Sequence, residues 1–165
     1  MKLTNITMIS LAMAFGAGCS TDDTTADGGS TAPVEATFTS LYGNYFSNCK
    51  DCHSPTGAGR TSDTEQTLNF TTKATALSTL KTGMASGLVG NFTGCNGVAF
   101  IASTPGSSLV VAVLDQPTRQ AIDLSGHPDC DSSSIPDMTA KVGRSPSTEF
   151  VAALKTWITA GAMDN

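Results

Sequence analysis

Cys49-Lys50-Asp51-Cys52-His53 is the stretch that decides what this chain folds around. Its two cysteines are three positions apart and a histidine directly follows the second, which is the attachment pattern of a c-type haem. The two thiols of such a motif add to the two vinyl groups of a porphyrin, and a helical turn carries the histidine beneath the ring to the iron. We therefore expect one covalent haem, held by Cys49 and Cys52, with His53 as the proximal iron ligand.

Other sites built on two close cysteines need residues that are not visible here. A thioredoxin-like CxxC has no role for a histidine at the next position. A structural zinc site needs a fourth ligand and usually a second close pair of cysteines. A metal knuckle and a redox dithiol remain the alternatives to haem.

Residues 1–18 have the features of an export signal. Lys2 supplies a positive start, and residues 6–15 form an apolar run that is too short to span a bilayer. The run ends at residues 15–19, which resemble the lipobox of bacterial lipoproteins, where a signal peptidase cuts before a cysteine that becomes lipidated. Cys19 is the expected lipid anchor, although Gly16 stands where a lipobox normally has leucine. Cleavage at an ordinary site nearby is the alternative.

The rest of the chain divides into a tether and one domain. Residues 19–33 are mostly Ser, Thr, Asp and Gly, which bury too little surface to offset the entropy of ordering them. Residues 34–165 have the size of one domain with one hydrophobic core. We expect an exported protein that is attached to a membrane through Cys19, on the periplasmic side of the inner or outer membrane or at the cell surface.

Helical spacing of apolar residues predicts a mostly α domain with long irregular loops. The pattern predicts helices over 34–48, over 72–81 with Gly83 ending it, and over the last stretch up to Gly161. Ser145 is expected to cap this last helix, with Pro146 at its first position. Residues 109–114 form a short helix or, because several are β-branched, a strand. Residues 115–144 are polar and are expected to form a long, functional loop.

A loop is expected after His53, because Pro55 lacks a backbone donor and the glycines that follow favour turns. We expect a backbone carbonyl of this loop to accept the outer ring N–H of His53 and to fix its orientation. Arg60, just beyond, is the candidate partner of a haem propionate. A solvated surface arginine is the alternative.

Two of the five cysteines, Cys95 and Cys130, are left after Cys19 is assigned to lipid and two others to haem. In an exported protein this pair is expected to form a disulfide. It would close a loop of about 35 residues and stabilise the domain by roughly 3 to 4 kcal/mol. Two free buried thiols are the alternative.

Residues 34–165 resemble the class I c-type cytochromes in the order of their features: a helix that enters the CKDCH motif, a loop, a late methionine and a C-terminal helix. The likeness is greatest to single-haem domains of exported, often lipid-anchored bacterial proteins. Three further stretches match: 68–71 (LNFT), 104–109 (TPGSSL) and 154–162 (LKTWITAGA). The resemblance implies a small helical domain around one haem that carries single electrons between redox proteins and is not itself an enzyme.

In this family the sixth iron ligand is typically a methionine from the loop before the last helix, which implies Met138 here. A thioether sulfur suits reduced iron and raises the reduction potential relative to a second imidazole. The chain departs from the family in having Pro136 two residues before the methionine, where a proline directly after it is common. His127, Met84 and an open sixth position are the alternatives.

Composition and charge limit the classes of molecule that the protein is expected to bind. The chain has 9 Lys and Arg against 14 Asp and Glu, a net charge of −5, and no basic run, which argues against nucleic acid. The mild acidity could steer docking to a basic patch on a redox partner.

Two other functional classes are compatible with the sequence. An open or His127-ligated iron would indicate a haem enzyme or a ligand-binding sensor. Without haem, the four cysteines of the domain would form two disulfides in a surface lipoprotein, which leaves His53 unexplained.

Overall fold

The computed structural model describes residues 33–62, 64–86 and 94–165. The expected signal peptide 1–18 and the tether with Cys19, up to residue 32, lie outside the described residues. Within the described ranges the chain is mostly helical, with no β-strand and a single antiparallel bridge between Met84 and Ala99. The predicted mostly α fold class is therefore confirmed. No helix in these ranges is long and apolar enough to cross a membrane.

The chain enters the CKDCH motif through two consecutive helical segments. Helix α1 spans Phe38–Asn44, and a 3₁₀ helix follows over Phe46–Asp51. Thr37 caps α1, since its hydroxyl accepts a hydrogen bond from the N–H of Ser40 at 3.2 Å. The helix predicted over 34–48 is present but shorter, and its last part has the tighter 3₁₀ geometry.

Helix α2 spans Lys73–Thr82, as the apolar spacing predicts. Thr72 and Thr75 form a reciprocal capping box at its start, and Gly83 follows its last residue. Helix α3 spans Leu109–Ala112 after a 3₁₀ turn, Pro105–Ser107, so the helical alternative for 109–114 is correct and the strand is not.

The polar stretch 115–144 is not one loop, contrary to the prediction. It contains helix α4, Gln116–Gln120, a 3₁₀ turn, Ser132–Ser134, and helix α5, Met138–Val142. Asp115 caps α4 and Asp137 caps α5, each accepting a backbone N–H three residues ahead, at 3.3 and 3.1 Å. These helices are too short to show an apolar period, and only their caps marked them in the sequence.

The last helix, α6, spans Thr148–Thr159 and starts later than predicted. Its cap is Ser147, whose hydroxyl accepts the N–H of Phe150 at 3.2 Å, and not Ser145. The predicted apolar face is confirmed, because the side chains of Phe150, Leu154, Trp157 and Ile158 are all buried.

Helices α1 and α6 pack together through aromatic rings. Phe38 stacks on Trp157 with ring centroids 5.1 Å apart, and Phe46 meets Phe150 edge to face at 5.5 Å. Such pairs add about 0.5 to 1.5 kcal/mol each beyond the area that they bury. Helix α2 also contacts α1, and α3 contacts α6. The core therefore lies directly beside the 3₁₀ helix that carries the CKDCH motif.

Candidate haem site

One helical turn gathers the three reactive residues of the motif. The N–H groups of Cys52 and His53 both donate to the carbonyl of Cys49, at 3.3 and 2.8 Å. Both cysteines are free thiols and are half-buried. The three side chains line a single cavity, as attachment to one porphyrin requires.

This cavity has a volume of about 680 Å³, within the range of about 300 to 1,000 Å³ that is usual for small-molecule and cofactor sites. Its walls are mostly apolar and come from the 3₁₀ helix, the loop after the motif, and helices α2, α3 and α5. Its larger apolar residues include Phe46, Leu68, Phe70, Leu80, Phe100, Leu109 and Val113.

The ring of His53 is oriented by two contacts. Its Nδ1 lies 3.4 Å from the backbone carbonyl oxygen of Glu65. Since a carbonyl only accepts, this contact requires the proton on Nδ1 and leaves the Nε2 lone pair free. Phe70 meets the ring edge to face, with centroids 5.7 Å apart. The predicted loop carbonyl is present, but it belongs to Glu65 and not to the turn directly after the motif.

Burial sets the protonation of the motif. It lowers the pKa of His53, and the hydrogen bond to Glu65 and that residue's charge raise this pKa only in part. The neutral imidazole, which is the metal-binding form, is therefore favoured. Burial also raises the pKa of Cys49 to about 12, against the opposing charge of Arg144. The Cys49 thiol is thus protonated at neutral pH, whereas zinc binding and disulfide exchange use the thiolate.

Met138 is the first residue of α5 and lines the same cavity as the motif. Its backbone N–H donates to the carbonyl of Val113 at 3.0 Å, which ties the start of α5 to the end of α3. Its side chain is half-buried. One thioether and one imidazole are therefore available to the same cavity.

The residue before Met138 is held by an ion pair. Asp137 accepts a bond from Arg119 Nη2 at 2.7 Å, and the Arg119 side chain is mostly buried. Arg119 Nη1 also donates to the carbonyl of Ala112 at 3.2 Å. The start of α5 is therefore connected both to α4, which carries Arg119, and to α3.

Arg60 is not among the residues that line the cavity. Its guanidinium donates to the carbonyl of Ser54 at 2.8 Å and to the side chain of Gln66, so it braces the loop after the motif. In the described part of the chain, Lys141 and Arg144 are the basic residues that line the cavity.

Arg144 is braced by an aromatic ring. Its guanidinium carbon lies 5.7 Å from the ring centre of Tyr45, a cation–π distance. The Tyr45 hydroxyl donates to the Arg144 carbonyl at 3.2 Å. No sequence signal pointed to Lys141 and Arg144, because basic residues in a polar segment have no pattern that distinguishes a cavity wall from solvent.

The two residues weighed against Met138 as sixth ligand do not line the cavity. His127 lies in a turn, where its carbonyl accepts the N–H of Cys130 at 3.0 Å. Met84 forms the bridge with Ala99, and its side chain is 55% exposed. Of the three candidates, the fold brings Met138 to the cavity that His53 lines.

Cys95 and Cys130 form a disulfide, with Cα atoms 4.5 Å apart. Both residues are buried. Gly94 has φ +97°, and a Cβ there would collide with the carbonyl of Asp129, so glycine is needed where the two backbones meet. The pairing that the cysteine count predicts joins the chain ahead of α3 to the segment that leads to Met138.

A buried carboxylate that the sequence did not single out lies next to the motif. Glu65 is 5% exposed and lines the cavity. Its Oε1 accepts from the N–H and hydroxyl of Thr67 at 3.1 and 3.0 Å, and its Oε2 from those of Ser86 at 3.0 and 3.2 Å. An acidic residue in a polar loop carries no sequence signal of burial.

Among the residues that the structure describes, no cluster of three or more His, Cys, Asp or Glu side chains could hold a metal ion. A haem iron with one histidine and one methionine ligand is a different kind of site. Comparison of the chain with protein-family models, with curated proteins and with solved structures found no match.

Proposed function

We propose that this protein is a single-haem c-type cytochrome that transfers single electrons between redox proteins outside the cytoplasm. One observation carries the proposal: both thiols and the imidazole of the CKDCH motif share a largely apolar cavity of about 680 Å³ with the side chain of Met138. Haem bound there would supply an iron that takes up and releases one electron.

The residues around the cavity have separate roles in this proposal. Cys49 and Cys52 hold the porphyrin covalently, so the cofactor is not lost on reduction or oxidation. His53 presents Nε2 as the proximal ligand, because its Nδ1 is engaged by the carbonyl of Glu65. Met138 presents its sulfur as the sixth ligand.

The walls of the cavity support electron transfer more than catalysis. Apolar side chains limit the entry of water, and two filled axial positions leave the iron no place for a substrate. Lys141 and Arg144 are the residues that would pair with the haem propionates, in place of Arg60, because they line the cavity.

Export and anchoring are part of the proposal and depend on the sequence alone. The features of residues 1–18 and the lipobox-like stretch that ends in Cys19 support them. The Cys95–Cys130 disulfide is compatible with an oxidising compartment.

The test is expression with the c-type maturation machinery, followed by intact mass spectrometry and a redox-titrated absorption spectrum. We expect the mass of one added haem, which remains after denaturation, and the spectrum of a low-spin iron with histidine and methionine ligands.

A matched pair of double variants separates haem attachment from general stability. The Cys49→Ser/Cys52→Ser chain should lose the covalent haem, whereas the Cys95→Ser/Cys130→Ser chain should keep it. A mature wild-type chain without added tetrapyrrole would refute the proposed function.

A further inference from the structure

Glu65 is an acidic side chain that the fold buries beside the proposed haem. The ion pairs of the described residues join Lys73 to Asp164, Arg119 to Asp137 and Lys155 to Asp115, and none includes Glu65. Burial of a carboxylate without a cationic partner is costly unless hydrogen bonds compensate it. The buried position of Glu65 next to the cavity therefore depends on its hydrogen bonds.

The hydrogen bonds around Glu65 suit the ionised carboxylate. Backbone N–H groups can only donate, and one of them points to each oxygen, from Thr67 to Oε1 and from Ser86 to Oε2. The hydroxyls of the same two residues also contact the carboxylate, although the one proton of the Thr67 hydroxyl is shared between Glu65 Oε1 at 3.0 Å and the carbonyl oxygen of Met84 at 3.3 Å. These donors stabilise a negative charge on a residue that is only 5% exposed.

The same residue also determines the orientation of His53. The Glu65 carbonyl oxygen lies 3.4 Å from His53 Nδ1, and the Glu65 side chain is fastened at both oxygens. Because the fastened side chain fixes the position of its own backbone, the carboxylate holds the acceptor of the histidine proton in place. Glu65 is therefore a positioning residue for His53 as well as a fixed charge.

We propose that Glu65 lowers the reduction potential of the bound haem by placing a fixed negative charge beside it while it orients His53. The inference rests on the proposed function. The oxidised iron carries one more positive charge than the reduced iron, so a nearby negative charge stabilises the oxidised form. The electron that reduces the iron comes from the redox partner, and no proton or bond change at Glu65 is needed.

Asp51 is the natural comparison, because it also lines the cavity but is exposed. Water and salt screen an exposed charge much more than a buried one. Glu65→Gln and Asp51→Asn remove the same charge from the same cavity. A difference between them is therefore not caused by the net charge of the protein.

The experiment is a redox titration of the haem-loaded wild-type chain, the Glu65→Gln variant and the Asp51→Asn variant. In Glu65→Gln, the ratio of reduced to oxidised protein at a fixed potential should rise on the order of tenfold, an upward shift of about 59 mV for a one-electron couple. Asp51→Asn should shift it clearly less. The low-spin spectrum should remain, which excludes loss of an axial ligand as the cause.

Thr67→Val provides a second test in the opposite direction. It removes the hydroxyl that donates to Glu65 Oε1 and also contacts the carbonyl of Met84, and it keeps the charge and the side-chain shape, so the charge is less compensated and the potential should fall. If Glu65→Gln does not fold or does not bind haem, Thr67→Val becomes the test of the inference. An unchanged or higher potential in Thr67→Val would then overturn the inference.

The two proposals fail in different ways. If the wild-type chain carries no haem, the proposed function is refuted and this inference with it. If the wild type is loaded but Glu65→Gln shifts no more than Asp51→Asn, only the role of Glu65 is refuted.

Discussion

Gly59 lies so close to the sulfur of Cys52 that a larger residue there would force this sulfur or the loop to move. A Cβ at Gly59 would stand 2.7 Å from Cys52 Sγ and 3.2 Å from the carbonyl oxygen of Asp51. The Gly59 N–H donates to the same carbonyl at 2.8 Å, so the loop cannot move away without losing this bond. The position next to one proposed thioether therefore depends on the absence of a side chain.

Gly59→Ala is expected to destabilise the fold by about 1 to 3 kcal/mol, the usual cost of forcing an atom into filled space. It should also lower the fraction of chains that acquire haem, because the added methyl displaces Cys52 Sγ. Gly106→Ala is the matched control, since nothing lies within 4 Å of a Cβ there. Urea denaturation and the ratio of haem to protein absorbance measure both effects, and equal behaviour of the two variants would contradict the prediction.

Met138→Ala is expected to leave the covalent haem in place and to lower the reduction potential, because the thioether favours the reduced iron. The reduced variant should also bind carbon monoxide without denaturant, which the wild type should not. Met84→Ala is the control, since Met84 was an alternative ligand and is exposed outside the cavity. An unchanged potential in Met138→Ala would remove this ligand assignment.

At the scale of elements, the short helices depend on caps and ion pairs more than on apolar faces. Asp115 accepts the N–H of Thr118 at the start of α4, and it pairs with Lys155 of α6 at 2.7 Å. Helix α4 in turn carries Arg119, which pairs with Asp137 at the start of α5. A chain of polar contacts thus connects the C-terminal helix to the residue before Met138.

Acid is expected to weaken the contact between α4 and α6. Burial raises the pKa of Asp115, but hydrogen bonds from Lys155 and Thr118 and the charge of Lys155 together bring this pKa below its usual value. A carboxyl with a depressed pKa stabilises the fold fully above its unfolded pKa, about 3.9. This contribution is lost as the pH falls through the folded value.

Asp115→Asn should therefore lower the free energy of unfolding by about 1 kcal/mol at pH 7. The difference from the wild type should begin to narrow below about pH 4, because the carboxyl of the unfolded chain is protonated there first, and it should vanish once the folded carboxyl is protonated too. Urea denaturation of both proteins at pH 7 and pH 3 measures this difference in the free energy of unfolding. Asp164→Asn, which removes the exposed pair with Lys73, is the control and should have a smaller effect at pH 7. If the difference in the free energy of unfolding between the wild type and Asp115→Asn does not change with pH, the charge of Asp115 does not contribute to stability.

For the whole molecule, the Cys95–Cys130 bond limits how far the long polar segment can unfold. The two cysteines are 35 positions apart and enclose α3 and α4. Cross-linking a loop of this length restricts the unfolded chain much more than the folded one. The domain therefore has a covalent restraint on the side of the chain that leads to Met138, separate from the proposed haem attachment at the motif.

The Cys95→Ala/Cys130→Ala variant should lose roughly 3 to 4 kcal/mol of stability while it keeps the covalent haem and both axial ligands. Denaturant unfolding of the haem-loaded proteins measures the loss. Treatment of the wild type with a reductant in denaturant, followed by refolding under reducing conditions, should reproduce the stability of the variant. A loss well below 1 kcal/mol would show that the unfolded chain is not restricted by this bond.

The features that could be predicted from sequence are those with a local cause. The CKDCH spacing brings two thiols and an imidazole together within one helical turn, and the apolar period of α2 and α6 marks their buried faces. The pairing of Cys95 with Cys130 followed from counting cysteines. Each of these patterns lies within a few residues or within the cysteine inventory, so no knowledge of packing was needed.

The remaining features of the site depend on tertiary structure, because they are contacts between residues that are distant along the chain. Met138, and neither His127 nor Met84, lines the cavity, and this depends on how α5 docks against α3. The burial of Glu65 likewise depends on Ser86, twenty-one positions away, which supplies two of its hydrogen bonds. By itself, the sequence determined which chemical groups are present and the local turns that hold them. Only the packed chain determined which of them meet, since a contact between distant segments leaves no local signature in the sequence.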